Sequence, residues 1–495
     1  MNIETGKIKA NPFNMSSKEK ILILTILVLG SFMALLNQTL LNVAIPELSK
    51  VFNLEVNTVQ WLSTGFIMVN GIVIPITAYL IGKFSTRQLF ISSIGLFTIG
   101  TFLSAFAPNF SFLLAGRLLQ AAGAGVMMPL VQTVIFSLFP PEKRGKAMGM
   151  FGIAMTFAPA IGPTLSGWIL QHYSWRVLFY IIIPIGFINL IFAFFFLRNV
   201  TEKSNPKFDL LGVITSTIGL GSLLYGFSMA GSLGWDSNQV IITIIIGIIF
   251  ISLFIWRELV AEHPMLNLSV FKNTQFSITI AIGAFVSLAM FSVELLTPIY
   301  IQSILGHSTF KTGLILLPGA IMMGIMSPIA GIILDRYGIR PLTYMGMSII
   351  IVTSWAYTNL SLDSSLWFVS VLYSAFMFGI SFIMMTVLTF GLNQLPLSMS
   401  KHGAAAANTA RMVSGSIGAA LMTTIMSTQT KNYLPHVSSS ISRTEAIKEA
   451  SILGMQDAFL VTTILAVLVF IMTFFLNKKD RLFEEKTNPK KIMEQ

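Results

Sequence analysis

Residues 21–45 read ILILTILVLGSFMALLNQTLLNVAI, a run without a single charged side chain. A helix needs about 20 mostly apolar residues to cross the hydrocarbon core of a bilayer, so this run is long enough to span it. It is too long for the apolar segment of a cleavable signal, and no small-residue cleavage site follows promptly. It reads as a first span that is retained.

Working outward, the same reading gives spans over 20–45, 58–82, 88–107, 111–138, 146–171, 175–197 and 209–230, then 238–257, 275–303, 311–335, 340–360, 365–392, 402–427 and 457–477. Lipid offers no partner to an unpaired backbone N–H or C=O, so these segments must be helices or a closed barrel. Barrel strands alternate apolar and polar residues over about ten positions, and these runs do not. The expected fold is all-α and integral to the membrane, with fourteen spans.

Composition agrees. The 495 residues are 54% hydrophobic and only 10% charged, with a mean hydropathy of +0.78. Soluble domains carry about 25% charged residues, so this chain cannot clothe a water-facing surface. The net charge of +11 does not mark a nucleic-acid face, because the basic residues fall in short loops and at the chain ends. There is no cysteine, and the five histidines (172, 263, 307, 402 and 436) show no ligand spacing. Disulfides, thiolate chemistry and a metal centre are therefore not expected.

Fourteen spans put both ends of the chain on one side. Of the 31 Lys and Arg, all but eight then fall on that side. Lys50, Arg176, Lys311, Lys431, Arg443 and Lys448 fall on the other, while Arg117 and Arg411 lie inside spans. Basic loops face the cytoplasm, so both termini are expected there, in a cytoplasmic membrane. The expected organisation is a tail over 1–19, a six-helix bundle over 20–197 and a linker with two inserted helices over 198–257. A second six-helix bundle follows over 258–477, with a polar outer loop at 428–456 that is partly helical around Glu445–Ala450, then a cytoplasmic tail over 478–495.

An internal repeat supports this parse. Residues 78–88 (AYLIGKFSTRQ) resemble 331–341 (GIILDRYGIRP), and each forms a short basic loop between spans. Pro46 and Pro298, read as ending spans one and nine, and the pairs Pro140 with Pro396 and Gly145 with Gly403, recur at a similar offset. Two parallel halves with the site between them near the membrane midplane is a known transporter plan.

The loop Gly331-Ile-Ile-Leu-Asp335-Arg336-Tyr-Gly338-Ile-Arg340 resembles the inner-loop motif GxLaDRxGR of the major facilitator superfamily. The first-half copy keeps Lys83 and Arg87 but has Gly82 where the motif carries Asp, and Ser85 in place of its Gly. Arg117-Leu-Leu-Gln120-Ala-Ala-Gly123 resembles RxxQGxGaa, and the stretch with Gly162, Pro163 and Gly167 resembles the antiporter motif gxxxGPxxGG. The segment from Asn37 to Pro46 resembles LDxTIVNVALP, with Asn37 where many relatives have Asp. The chain thus resembles the fourteen-span drug:proton antiporter branch (EmrB/QacA type), close to lincomycin-resistance-type exporters. The resemblance implies a helix latch at Asp335, Arg336, Gly338 and Arg340, close helix approach at the span-five motif, and a proton-transfer role for Arg117. In the resembling fold, spans one, four, nine and twelve line a central cavity.

An ionisable group at membrane depth costs about 2.5–3.5 kcal/mol on insertion scales, so it is normally paired or functional. Of the twenty acids, Glu294 alone lies deep in a span. A carboxyl group away from bulk water can bind and release protons in the physiological range, which makes Glu294 the candidate proton-coupling group. The bland reading is a carboxyl that holds helices together by hydrogen bonds. Arg117 lies at a comparable depth, and two readings stand side by side: a switchable Glu294–Arg117 pair, or an Arg that packs and binds backbone carbonyls. Arg411 reads better as an anchor. Asn37, Gln38, Asn42 and Gln120 offer neutral hydrogen bonds suited to a substrate cavity, as do the flexible Met377 and the hydroxyl of Ser381; helix–helix contacts and ordinary packing explain the same residues.

The expected function is proton-driven export of small amphiphilic compounds by alternating access. No cofactor is expected beyond the proton gradient, and the partners are lipophilic small molecules and the bilayer, not nucleic acid. The working unit is a monomer, with an adaptor protein only in a double-membrane host. The alternatives are a dedicated exporter of one metabolite, lipid or signalling nucleotide and, more distantly, a membrane enzyme; no His/Asp or multi-acid cluster supports the enzyme.

Overall fold

The computed structural model describes residues 15–201, 203–204, 206–435 and 442–477. Long helices account for nearly all of them, and no strand occurs among the described residues. The first six are α1 (Ser17–Phe52), α2 (Trp61–Lys83), α3 (Thr86–Ala105), α4 (Phe110–Leu138), α5 (Pro141–His172) and α6 (Val177–Phe196). An outlying pair follows, α7 (Leu210–Leu233) and α8 (Asn238–Val260). The last six are α9 (Thr274–Ile299), α10 (Thr309–Tyr337), α11 (Ile339–Tyr357), α12 (Leu366–Asn393), α13 (Ser400–Tyr433) and α14 (Arg443–Thr473). Among the described residues, twelve helices are long and apolar enough to cross a membrane; α11 and α13 are outside that set. In α13 the polar run Ser400, Lys401, His402, Asn408, Thr409 and Arg411 lowers the hydropathy.

Local chemistry sets the helix ends. The Ser16 hydroxyl accepts the Glu19 N–H at 3.2 Å, while the Glu19 carboxylate accepts the Ser16 N–H at 2.9 Å. This reciprocal cap satisfies two of the donors that a helix start leaves open. The same box recurs at Ser85/Gln88 and Ser442/Glu445. Helix α1 stops where Asn53 turns left-handed at φ 51°, and α10 turns sharply into α11 at Gly338, φ 82°. A side chain would strain that backbone.

Two expectations change here. Pro46 does not end the first helix, which runs on to Phe52, and α9 continues past Pro298 into a π turn at Tyr300–Ile304. The missing N–H of one proline removes a single rung, which neighbouring turns absorb. The expected outer loop at 428–456 is helical around Glu445–Ala450 as read, but the helix extends further on both sides, since α13 reaches Tyr433 and α14 runs on from Arg443.

Helices α1–α6 pack around one apolar core that includes Leu27, Met33, Phe66 and Phe97. Helices α9–α14 pack around a second, with Val293, Phe376, Ile383 and Phe459. Helix α7 lies against α2 and α13, and α8 lies against α7. The two bundles meet mainly where α5 runs along α10 and α2 and α4 run along α13.

Polar bonds show which helix ends lie together. Arg198 after α6 pairs with Glu19 of α1 at 2.9 Å, and the Arg87 N–H at the α2–α3 turn donates to Asn199 at 3.2 Å. Lys401 of α13 reaches Ser204 at 2.8 Å, and Arg257 of α8 pairs with Asp209 before α7 at 3.3 Å. Arg340 of α11 donates to the Leu476 carbonyl beyond α14 at 2.8 Å. These groups define one basic end of the molecule.

Candidate functional site

Arg117 lies about two turns inside α4 and is 0% exposed. Its Nε donates to the Leu62 carbonyl at 3.3 Å, and Nη1 donates to Gln120 Oε1 at 2.9 Å and to Asn37 Oδ1. The guanidinium lies 4.3 Å from the Phe66 ring centre, an arrangement that attracts a desolvated cation. Gln120 passes the chain of bonds to Thr101 at 2.8 Å, while Nη2 of Arg117 has no partner among the described residues. Asn37 and Gln120 therefore serve to hold Arg117.

The Glu294–Arg117 pair of the first reading does not form. Arg117 is turned into the first bundle by α1, α2 and its own helix, and Glu294 has Arg411 of α13 within electrostatic reach instead. Glu294 is half-buried, and its carboxylate makes no hydrogen bond or ion pair among the described residues. Spacings of three and four residues put Ile280, Ala284, Ser287, Phe291 and Glu294 on one stripe of α9. Ile280, Ala284 and Ser287 of that stripe line a cavity.

Met384, Met385 and Leu388 of α12, with Asn408 and Arg411 of α13, complete this cavity. Arg411 is half-buried and crosses to the first bundle, where Nη2 meets the Met128 sulfur at 3.2 Å. A thioether is a weak acceptor, so most of the guanidinium's donors stay available to the cavity. Arg411 thus lines the site rather than anchoring a helix end. Met377 and Ser381 do not line this cavity. Met377 packs in the second core and Ser381 turns its hydroxyl to the Phe378 carbonyl at 2.6 Å. They lie about one turn and more above Met384, where the stripe is covered by packing. Gln38 borders a smaller hollow with Asn70 and Met128, and Asn42 is exposed, accepting the Ser63 hydroxyl at 2.6 Å.

Below the cavity, towards the basic end, the two bundles are bonded together. Gln132 of α4 and Asn408 of α13 exchange amide hydrogen bonds, the shorter at 2.6 Å. Arg144 of α5 donates to Asn393 of α12 at 2.9 Å. Asp335 of α10 accepts the N–H groups of Gly145 and Lys146 at 2.8 and 2.9 Å. Gly145 and Lys146 are the fifth and sixth residues of α5, so the carboxylate docks on the side of that helix one turn in from its N-terminus. A Cβ on Gly145 would stand 2.4 Å from both Asp335 Oδ1 and the Gly331 carbonyl, so only glycine admits this approach. Between α1–α6 and α9–α14, every hydrogen bond found among the described residues joins this half of the molecule.

The other motif residues have local tasks. Arg336 packs on Tyr337, and Arg87 ties the α2–α3 turn to the Phe194 carbonyl. Lys83 is exposed. Where the motif's acid is replaced by Gly82, the Lys401 ammonium and the Ser204 hydroxyl fill the space, each 2.7 Å from where a Cβ would be. Gly162 lets α5 cross α1 at Thr39, whose Oγ1 would lie 2.2 Å from an added Cβ. Gly167, past Pro163, faces the Phe310 backbone of α10.

Comparison with known proteins gives the family. The description that matches is the Major Facilitator Superfamily, over residues 27–419. The uncharacterized MFS-type transporter YcnB of Bacillus subtilis is 46% identical, over 97% of this chain and 98% of that protein. The lincomycin resistance protein LmrB of the same organism is 40% identical, over 91% of this chain and 95% of its own length. Among solved structures, the human organic anion transporter MFSD10 superposes with a TM-score of 0.62 over 90% of this chain and 99% of its own, at 13% identity, a likeness of fold.

Proposed function

The chain belongs to the major facilitator superfamily, and from that premise we propose that it exports lipophilic small molecules in exchange for protons, by alternating access. It is a multi-pass membrane protein of a transporter family. The finer reading gives it fourteen spans, counting α11 and α13, with both termini and the basic end in the cytoplasm. Loop charge supports that orientation, since a cytoplasmic excess of Lys and Arg sets topology. The membrane is then the cytoplasmic one. The working unit is a monomer without cofactor, and an adaptor would enter only in a host with a second membrane.

One observation carries the mechanism. Glu294 is a carboxyl group at membrane depth that is half-buried and unbonded among the described residues, about two turns along α9 from Ser287, the last residue of its stripe to line the cavity. A merely structural carboxylate at that depth would be hydrogen-bonded, since leaving it bare is costly. Glu294 is suited to take a proton from the outer water and release it to the cytoplasm once the bundles rock. The bonds at Gln132–Asn408, Arg144–Asn393 and Asp335–Gly145 hold the cytoplasmic end shut in this conformation, so the reading assigns it to the outward-facing side of the cycle. Opening inward requires these bonds to break as a set.

The test uses purified protein in proteoliposomes with an imposed pH gradient. Glu294→Gln should abolish uphill transport of a fluorescent lipophilic dye while leaving dye-driven exchange across equal pH measurable. Uphill transport at the wild-type rate by this variant would sink the assignment. Relatives named for lincomycin resistance support export as the direction.

A further inference from the structure

Glu294 stands about two turns along α9 from Ser287 and the cavity, towards the end of the molecule opposite the basic one. At that level the interior of the second bundle holds three hydroxyl groups that the helices leave open. Thr297 of α9 and Ser354 and Tyr357 of α11 are each 0% exposed, and none of the three hydroxyls has a hydrogen-bond partner among the described residues. A Ser or Thr within a helix can return its hydroxyl to a carbonyl of the preceding turn, as Ser292 does to Leu288 at 2.6 Å. Thr297 and Ser354 do not.

Spacing and packing bring these groups together. Thr297 follows Glu294 by three residues and Tyr357 follows Ser354 by three, so each pair shares a helix face. The Tyr357 ring stacks on Phe459 of α14 with centres 4.5 Å apart, and meets Phe376 of α12 edge-on at 6.5 Å. Held there, its hydroxyl faces Thr297 without reaching hydrogen-bond geometry. About one turn further out, the Tyr300 hydroxyl donates to the Ser361 carbonyl at 2.7 Å, tying the end of α9 to the segment after α11. Ser361 is exposed. Tyr373 of α12 lies within electrostatic reach of both Glu294 and Tyr357.

We propose that Thr297, Ser354 and Tyr357 hold a bridging water and form the route by which an outer proton reaches Glu294, inside the second bundle and apart from the cavity. This rests on the proposed exchange and names the path its proton takes. Buried hydroxyls are normally bonded, and a buried water satisfies about three such groups at once. Side chains one helical turn apart stand about 5–6 Å from each other at Cβ, a gap that one water can bridge. Each oxygen takes a proton from its outer neighbour and passes its own towards Glu294. The hydroxyls and the water end as they began, and only the carboxylate gains a proton. The cavity lies on the inner side of Glu294, so proton uptake does not have to pass a bound substrate.

Tyr357→Phe and Thr297→Val each remove a hydroxyl and keep the shape of the side chain. Both are compared with the wild type and Glu294→Gln in proteoliposomes, with a fluorescent lipophilic dye. Each should lower the uphill rate under an imposed pH gradient by about tenfold, while the KM for the dye and dye exchange at equal pH keep their wild-type values. Heavy water should slow the variants by a larger factor than the wild type, because proton delivery has become limiting. A merely structural role would lower uphill transport and exchange together, and that outcome overturns the proposal. Uphill transport at the wild-type rate by both variants, with Glu294→Gln inactive, overturns the path alone. Uphill transport at the wild-type rate by Glu294→Gln overturns the exchange itself.

Discussion

Asp335 of the second bundle docks on α5 of the first bundle one turn in from its N-terminus, taking the N–H of Gly145 on one oxygen and that of Lys146 on the other. A carboxylate bonded within its own bundle would only stabilise that bundle. Placed across the interface, it makes closure of the cytoplasmic end depend on one side chain. The first-half copy of the loop lacks this device, because Gly82 stands at the matching position and Lys401 and Ser204 close the gap instead.

Asp335→Ala should therefore shift the molecule towards its inward-open form. Losing a hydrogen bond to a charged group costs about 1.5–3 kcal/mol, enough for a change of about tenfold to about a hundredfold in the equilibrium. The chain has no cysteine, so a cysteine introduced at Ala407, which lines the cavity, is a clean reporter. Its labelling by an impermeant maleimide from the cytoplasmic side should rise by that factor. Unchanged labelling would mean that Asp335 does not hold the gate.

Asn37→Asp should raise thermal stability. Arg117 is buried with only neutral acceptors around it, and a carboxylate at position 37 would supply its missing counter-charge without a change in side-chain shape. Asn37→Ala should do the opposite, because it leaves the guanidinium with fewer acceptors, at a cost of about 1.5–3 kcal/mol for a hydrogen bond to a charged group. Unfolding midpoints of the two variants in detergent should move in opposite directions. Movement in the same direction would show that position 37 is limited by packing.

Glu258→Gln should be neutral or stabilising, although it removes a charge. Glu258 Oε1 and Asp209 Oδ2 are both buried without a partner among the described residues, and they approach one point, 2.8 and 2.9 Å from where a Cβ on Gly212 would stand. An amide N–H in place of one oxygen can donate to the other. Glu258→Ala lacks that donor and loses the acceptor for the Leu266 N–H, which Glu258 Oε2 now holds at 3.1 Å. It should lower stability by about 1–3 kcal/mol. The comparison of the two midpoints is the measurement, and a Gln variant no better than the Ala variant would refute the pairing.

Much of this architecture is legible in the chain because lipid imposes it. Long apolar runs have to be helices, and all fourteen expected segments fall on helices, although α11 and α13 lie outside the twelve apolar enough on their own. Helix ends were harder, since extension past Pro46 or beyond position 428 depends on caps and packing rather than on hydropathy. The deep carboxyl group Glu294 is also visible there, because an acid in the middle of a span is costly and so is normally paired or functional.

What sequence could not give was the partner of each deep charge. Depth along a helix follows from counting residues, and by that count Arg117 and Glu294 stand level. Direction around the helix axis, and which neighbour occupies it, follows from how the helices pack. That packing gives Arg117 to Asn37, Gln120 and the Phe66 ring, and leaves Glu294 within electrostatic reach of Arg411, about two turns along α9 from the cavity that Arg411 lines. The sequence by itself determined that the chain crosses the membrane many times and carries few charges within it. Only the tertiary structure decided which of those charges meet, because contact between distant residues is fixed by helix rotation and crossing, to which hydropathy is blind.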